Sequence, residues 1–291
     1  MVSGAADSAE EGRRRSLRWR SLRKYPMFYF GGLLLILVAI VSACAPLIAT
    51  HDVLAINPLV RLKPPSDAHY FGTDALGRDL FSRTIWGGRV SLVVAISVAA
   101  LATIFGVLLG LVAGFISWAD GLIMRVMDGM MAIPDILLAI ALVAIVRPSL
   151  TTVIVAITVP QVPRMVRLVR SLALSLREQQ FVEAAHAIGT RLPTILWRHV
   201  LPNTLAPVVV QATFIAASAV LTEAVLSFLG VGVPAQIPSW GNIIADGRNV
   251  VALAPHIILF PGVFLALTVL SINTLGDGLR DRLDPRLANQ L

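Results

Sequence analysis

Residues 175–203 read SLREQQFVEAAHAIGTRLPTILWRHVLPN. This is the longest strongly polar run between apolar segments in the second half of the chain, yet it carries a helical pattern of its own. Phe181, Ala184, Ala185 and Ile188 recur at i, i+3, i+4 and i+7 and share one helix face. Gln179, Gln180, Glu183 and His186 fall on the other faces. Ser175 followed by Glu178 has the spacing of a capping box, and Gly189 suits the left-handed residue that ends a helix. A second short helix is expected from Thr194 until Pro202 interrupts it. The plain reading is an amphipathic loop helix. The functional reading is a two-helix knob with a small-residue face that docks into another protein.

The sequence around this run is membrane-like. Of 291 residues 56% are hydrophobic and 14% charged, with mean hydropathy +0.80; a soluble domain carries about 25% charged residues. Apolar segments run over about 28–50, 90–116, 121–146, 150–169, 204–229 and 257–275, each long enough to cross a hydrocarbon core of about 30 Å. Lipid offers the backbone no hydrogen-bond partners, so the spans are helices. The fold class is therefore all-α, a polytopic membrane protein with six transmembrane helices. Pro134 and Pro160 are expected to kink or break theirs.

Charge placement orients the chain. With both termini in the cytoplasm, 17 Lys and Arg residues fall inside and 7 outside, as the positive-inside rule requires. That rule explains the net charge of +7 better than a nucleic-acid partner does. It divides the chain into a cytoplasmic basic tail (1–27), a first transmembrane helix (28–50), an extracytoplasmic loop (51–89), a five-helix core (90–275) containing the 175–203 loop, and a cytoplasmic tail (276–291). Arg13 to Lys24 holds seven basic residues and no acid, a topology signal that is also suited to anionic membrane lipid.

Several motifs carry a resemblance. Glu183-Ala184-Ala185, then Gly189, then Leu201-Pro202 is similar to the EAA loop of inner-membrane permease subunits of bacterial ABC importers. Where that pattern often has Ile two residues before Leu-Pro, this chain has His199. The stretch from His69-Tyr70-Phe71-Gly72-Thr73-Asp74 through Gly77-Arg78-Asp79 to Leu92 resembles the dipeptide, oligopeptide and nickel branch of the family, in its C-type subunit. So do Leu226 to Gly230, Pro238-Ser239-Trp240-Gly241 and Asp284-Pro285-Arg286. The resemblance covers nearly all of 25–287. It implies a type I ABC importer permease fold, a second permease subunit, two ATP-binding subunits and an extracytoplasmic substrate-binding protein. ATP and magnesium would belong to the partners. It also implies that Phe181, Glu183, Ala184, Ala185, Ile188, Gly189, Leu201 and Pro202 form the ATPase-coupling loop. Di- or oligopeptides are the implied substrates, with nickel, haem or another small solute as alternatives.

The residues themselves point to no catalysis. A P-loop needs Gly-Lys-Ser/Thr, and the only lysines, Lys24 and Lys63, precede Tyr25 and Pro64. His51, His69, His186, His199 and His256 are too scattered to show a metal pattern. Asp74 and Asp79 do not match an EF-hand and read as a polar turn at a helix entrance, paired with arginine. The charges within spans remain. Glu223 and Asp135, with Gln211, are candidate pore-lining residues, because ionisable groups in a membrane face a protein interior or a water path. Arg125 and Asp128, at i, i+3, are expected to pair. Two rivals stand beside the importer subunit. One is a secondary transporter, although no internal repeat is evident. The other is a membrane scaffold lipoprotein, resting on the lipobox-like Val41-Ser42-Ala43-Cys44.

Overall fold

The apolar runs become long helices, and where each begins and ends depends on caps and on what lies across from it. The computed structural model describes residues 25–146 and 149–283. The basic run 13–24, Arg147 and the Asp284-Pro285-Arg286 tail lie outside the described residues. In chain order the helices are α1 (Pro26–Ala43), α2 (Ala45–Ile48), α3 (Leu80–Phe115), α4 (Ser117–Met131), α5 (Asp135–Ile145), α6 (Leu150–Arg177), α7 (Gln180–Ala187), α8 (Leu192–Ile195), α9 (Leu201–Phe228), α10 (Trp240–Gly247) and α11 (His256–Leu283). Among the described residues five segments are each long and apolar enough to span a membrane, and α4 with α5 meets the same test as a pair bent by 91° at its break. Pro134 lies at that break. It supplies no amide and drives the residue before it out of the helical region.

Pro160 does not break its helix. It sits with Pro163 inside the unbroken helix α6, and both are buried. A proline is tolerated inside a span when neighbouring helices enclose the freed backbone groups. The start of α3 is also corrected, to Leu80 rather than Val90. Its first turns contain Ser82, Arg83 and Thr84, which look like loop in the sequence but are fully buried against the rest of the chain.

Helix packing follows small residues, as it does where lipid removes the hydrophobic drive between helices. Gly106, Gly110 and Gly114 of α3 form a stripe at every fourth residue. Their Cα atoms lie against Met165, Val169 and Ala173 of α6, also at every fourth residue. Helix α1 attaches to α11 by two reciprocal glycines: Gly31 against Ser271 and Leu275, and Gly278 against Phe28. The main core runs through α3, α6 and α9 and continues into the segment 182–200. That segment forms a helical knob at one end of the bundle. Residues 50–79 and α10 lie at the opposite, loop end.

Candidate functional site

The knob is built from its caps inward. Helix α6 runs through Ser175 to Arg177, so Ser175 is inside a helix and makes no capping box with Glu178, which is the terminal position of α6. The helix continues because Ala173 still has α3 to pack on, at Gly114. Gln179 occupies the position before α7. Gly189 ends α7 at φ +78°. The amide of Thr190 donates to the Ala185 carbonyl at 3.0 Å and that of Gly189 to His186 at 2.9 Å, the paired bonds of a Schellman end. Pro202 does not interrupt the second element. A π turn over Leu196–Val200 joins α8 to α9, and the helix is continuous from Leu192 to Phe228. The wider turn accommodates a residue that has no amide to give.

The expected four-residue face divides in two. Ala185, 5% exposed, and Val182 are buried with Ile195 and Val200 in the main core. Phe181 and Ile188 are 42% and 82% exposed, and Glu183, Ala184 and Gly189 are also exposed. Ala185 is therefore a packing residue of this chain. The outward surface is Phe181, Ala184 and Ile188. Sequence reasoning missed Trp197, which is 75% exposed and lines a surface groove of about 540 Å³ with Pro193, Thr194, Arg198 and Pro202. Its signal was a tryptophan within a polar run. Leu201 is half-buried where α9 starts, and Pro202 is exposed.

Charges on the spans are paired between helices. Arg164, Arg167 and Arg170 recur every third residue on α6 and meet Asp135, Asp128 and Asp120 at 2.6, 2.5 and 2.5 Å. Asp128 thus pairs with Arg167, not with Arg125, because α6 presents a guanidinium directly across from it. Arg167 and Asp128 are 44% and 58% exposed. Asp135 opens α5 and is 29% exposed. Gln211 is half-buried and lines a cleft of about 550 Å³ with Leu168, Asn203, Pro207, Phe214 and Arg280.

Glu223 does not line an open path. It is fully buried. Its carboxylate accepts from the hydroxyls of Ser227 and Ser239 at 2.8 Å each and of Ser91 at 3.3 Å. These serines belong to α9, the start of α10, and α3, so Glu223 is a junction between three elements. Ser239 also accepts from the amide of Asn242 at 3.2 Å and so caps α10. Beside it, the Trp240 indole donates to the Thr84 carbonyl at 2.9 Å. Gly241 lets α10 lie against Ala224.

The loop end is a preformed cap for α3. Asp79 accepts from the amide of Ser82 at 2.8 Å. Asp74 closes the turn before it by accepting from the amides of Leu76 and Arg78 at 2.8 and 2.9 Å. Gly77 takes φ +76° there. Arg78 bonds Asp74 at 2.5 Å and Asp246 of α10 at 2.7 Å. The fully buried Arg83 reaches Asp246 at 3.2 Å. For Asp74 this is the arginine-paired polar turn expected from the sequence, and Arg78 fastens the loop to α10, whereas Asp79 meets His51 and His69 rather than an arginine. The histidines do not all stay scattered: His51 and His69 converge on Asp79.

Comparison with known proteins places this architecture. Residues 102–289 match the family model described as binding-protein-dependent transport system inner membrane component. The chain belongs to that family. The permease also matches, over residues 15–65, the model described as the N-terminal TM domain of oligopeptide transport permease C, a match that runs through Cys44. It is 51% identical over 267 residues to a probable peptide ABC transporter permease protein of Sinorhizobium fredii, covering 92% of this chain and 91% of that one. It is 44% identical to the dipeptide transport system permease protein of Alkalihalophilus pseudofirmus, covering 92% and 89%. To the oligopeptide transport system permease protein of Bacillus subtilis it is 36% identical, covering 99% and 97%. Among solved structures, the inward-facing MetNI methionine ABC transporter shares the fold at TM-score 0.61 and 20% identity, over 70% of this chain and 98% of that one. The permease is thus a multi-pass inner-membrane component of an ABC importer with a type I fold.

Proposed function

We propose that this permease forms one half of a heterodimeric pore in an ATP-driven importer of di- or oligopeptides. The peptide reading rests on the names of the relatives. The coupling reading rests on one observation: the knob's back, Val182 and Ala185, is keyed into the core that holds α6 and α9, while Phe181, Ile188 and Trp197 stand exposed. A rigid lever with an unpartnered apolar surface is what transmission from a docked subunit requires. In this reading two ATP-binding subunits, which carry ATP and magnesium, grip the knob from the cytoplasm. A second permease subunit completes the pore, and an extracytoplasmic binding protein delivers substrate to the loop end. Both termini are cytoplasmic, following the positive-inside count. The Arg164–Asp135, Arg167–Asp128 and Arg170–Asp120 pairs face the aqueous vestibule at the knob end, because exposed charges at membrane depth are costly against lipid.

The test is a pull-down of tagged permease from detergent-solubilised membranes. Ile188→Asp and Phe181→Asp put a charge on the outward face and leave Val182 and Ala185 in place. Losing a central apolar anchor costs about 2 kcal/mol, or about thirtyfold in affinity. The ATP-binding subunits should be lost while the second permease is retained. Undiminished recovery of the ATP-binding subunits with both variants would refute docking through this face.

A further inference from the structure

We propose that His51, His69 and Asp79 form a binding site for a divalent first-row transition metal, of the kind Zn²⁺ represents, at the loop end of the permease. The three side chains each offer one ligand atom within 4.8 Å of the others. Asp79 Oδ1 is the point of convergence, 2.8 Å from His69 Nδ1 and 3.7 Å from His51 Nδ1. Zinc sits about 2.0–2.2 Å from nitrogen and oxygen ligands, so the ligands of a tetrahedral ion stand about 3.3 Å apart. The two observed separations bracket that figure. Opening of the His69–Asp79 contact, with the imidazole of His51 drawn in toward the other two ligand atoms, which all lie within 4.8 Å, admits an ion. Two imidazoles and one carboxylate leave a fourth position for water, and that donor set suits zinc, nickel or copper better than calcium or magnesium.

The supporting structure is already in place. Asp79 has two oxygens with different tasks. Oδ2 is held by the Ser82 amide at 2.8 Å and the Thr50 hydroxyl at 3.5 Å, which turns Oδ1 toward the histidines. The amides of Thr50 and His51 both donate to Ser82 Oγ at 3.1 Å, so the backbone carrying His51 is tied to the first turn of α3. Such outer contacts orient ligands in metal sites. The two rings lie 4.7 Å apart and tilted by 33°, with side-chain exposures of 43% for His51 and 14% for His69. An ion can therefore enter from solvent. Asp79 itself is 1% exposed. Its neighbours Asp74 and Asp246 share the guanidinium groups of Arg78 and Arg83. Asp79 instead faces the two imidazoles, a hydroxyl and an amide. A bound dication would supply the charge partner and link residues 51 and 69 to the start of α3. Binding needs the Nδ1 lone pairs, so a neutral His69 moves its proton to Nε2, which needs no other reactant.

The test uses the full chain, purified in detergent with a histidine-free affinity tag. Zn²⁺ titration by calorimetry should give one site per chain. Co²⁺ should give the visible absorption bands of a low-coordinate nitrogen and oxygen site, displaced by Zn²⁺. Changing a residue that merely orients a ligand weakens a metal site by about 10- to 100-fold. His51→Ala and His69→Ala, which remove a ligand, should each weaken Zn²⁺ by more than about 100-fold. Zn²⁺ should also raise the melting temperature of the wild type and leave that of His51→Ala unmoved. The His51 side chain is exposed and meets only its neighbour Thr50 Oγ1, at 3.0 Å, besides the site, while its backbone amide keeps the bond to Ser82, so this variant folds and carries the test if His69→Ala does not. Absence of saturable Zn²⁺ binding, or binding that His51→Ala leaves unchanged, would overturn the site.

Discussion

Replacing Glu223 by alanine separates a structural junction from a pore-lining group. In the wild type two serine hydroxyls donate to the carboxylate at 2.8 Å and a third at 3.3 Å. A side-chain hydrogen bond contributes about 1 kcal/mol net, so the two short bonds account for about 2 kcal/mol. Deleting a buried side chain also leaves a cavity, which adds about 1–2 kcal/mol. Against this, the cost of burying the polar side chain disappears, which offsets about 1 kcal/mol. The expected net is about 2–3 kcal/mol of destabilisation, within the range of single core mutations. Ser227→Ala should cost about 1 kcal/mol. Ser239→Ala should cost more, since it also removes the cap of α10, worth about 1 kcal/mol. Ser91→Ala, with the longest bond, should cost least. Reversible unfolding of the full chain in mixed detergent micelles measures these differences. A double-mutant cycle of Glu223→Ala with Ser227→Ala should show a coupling of about 1 kcal/mol. Wild-type stability in Glu223→Ala, together with lost transport, would refute the junction and return Glu223 to the pore.

Two further outcomes are expected. A Cβ on Gly110 would stand 2.6 Å from Val169 Cβ and 2.9 Å from the Val166 carbonyl, so Gly110→Leu should prise α3 from α6 at a cost of about 1–3 kcal/mol. Gly129→Leu, with nothing within 4 Å, should be close to neutral, and equal melting temperatures for the two variants would contradict the seam. Asp128→Arg should impair transport by setting like charges together, and the double variant Asp128→Arg with Arg167→Asp should restore it. A swap no better than the single change would mean that this exposed pair, worth at most about 1 kcal/mol in water, has no part in transport.

The membrane class, the position of the polar knob and the break at Pro134 were legible because they rest on local chemistry. Apolar length, charge asymmetry and the missing amide of proline act within a few residues of themselves. The left-handed Gly189 was legible for the same reason, and so was the pairing of Arg78 with Asp74 before α3. The arrangement of Phe181, Ala184, Ala185 and Ile188 was legible only as a period. Which part of that face turns inward depends on where Ile195 and Val200 lie, and helical spacing does not say that.

The remaining features were set by partners distant in sequence. Glu223 reads as a costly charge in a span until Ser91 and Ser239 arrive from other helices to enclose it. Asp128 has a plausible local partner in Arg125, but α6 brings Arg167 closer. His51 and His69 are separated by a proline-rich loop and meet only because both fold back onto the cap of α3. By itself the sequence determined that this chain is a bundle of membrane helices with a polar knob, since backbone hydrogen bonding in lipid allows only helices or closed barrels and continuous apolar runs of about 20 residues suit helices. Only the tertiary structure decided which charges pair across helices, which are enclosed and which side chains share a site, because those depend on distances between residues far apart in the chain.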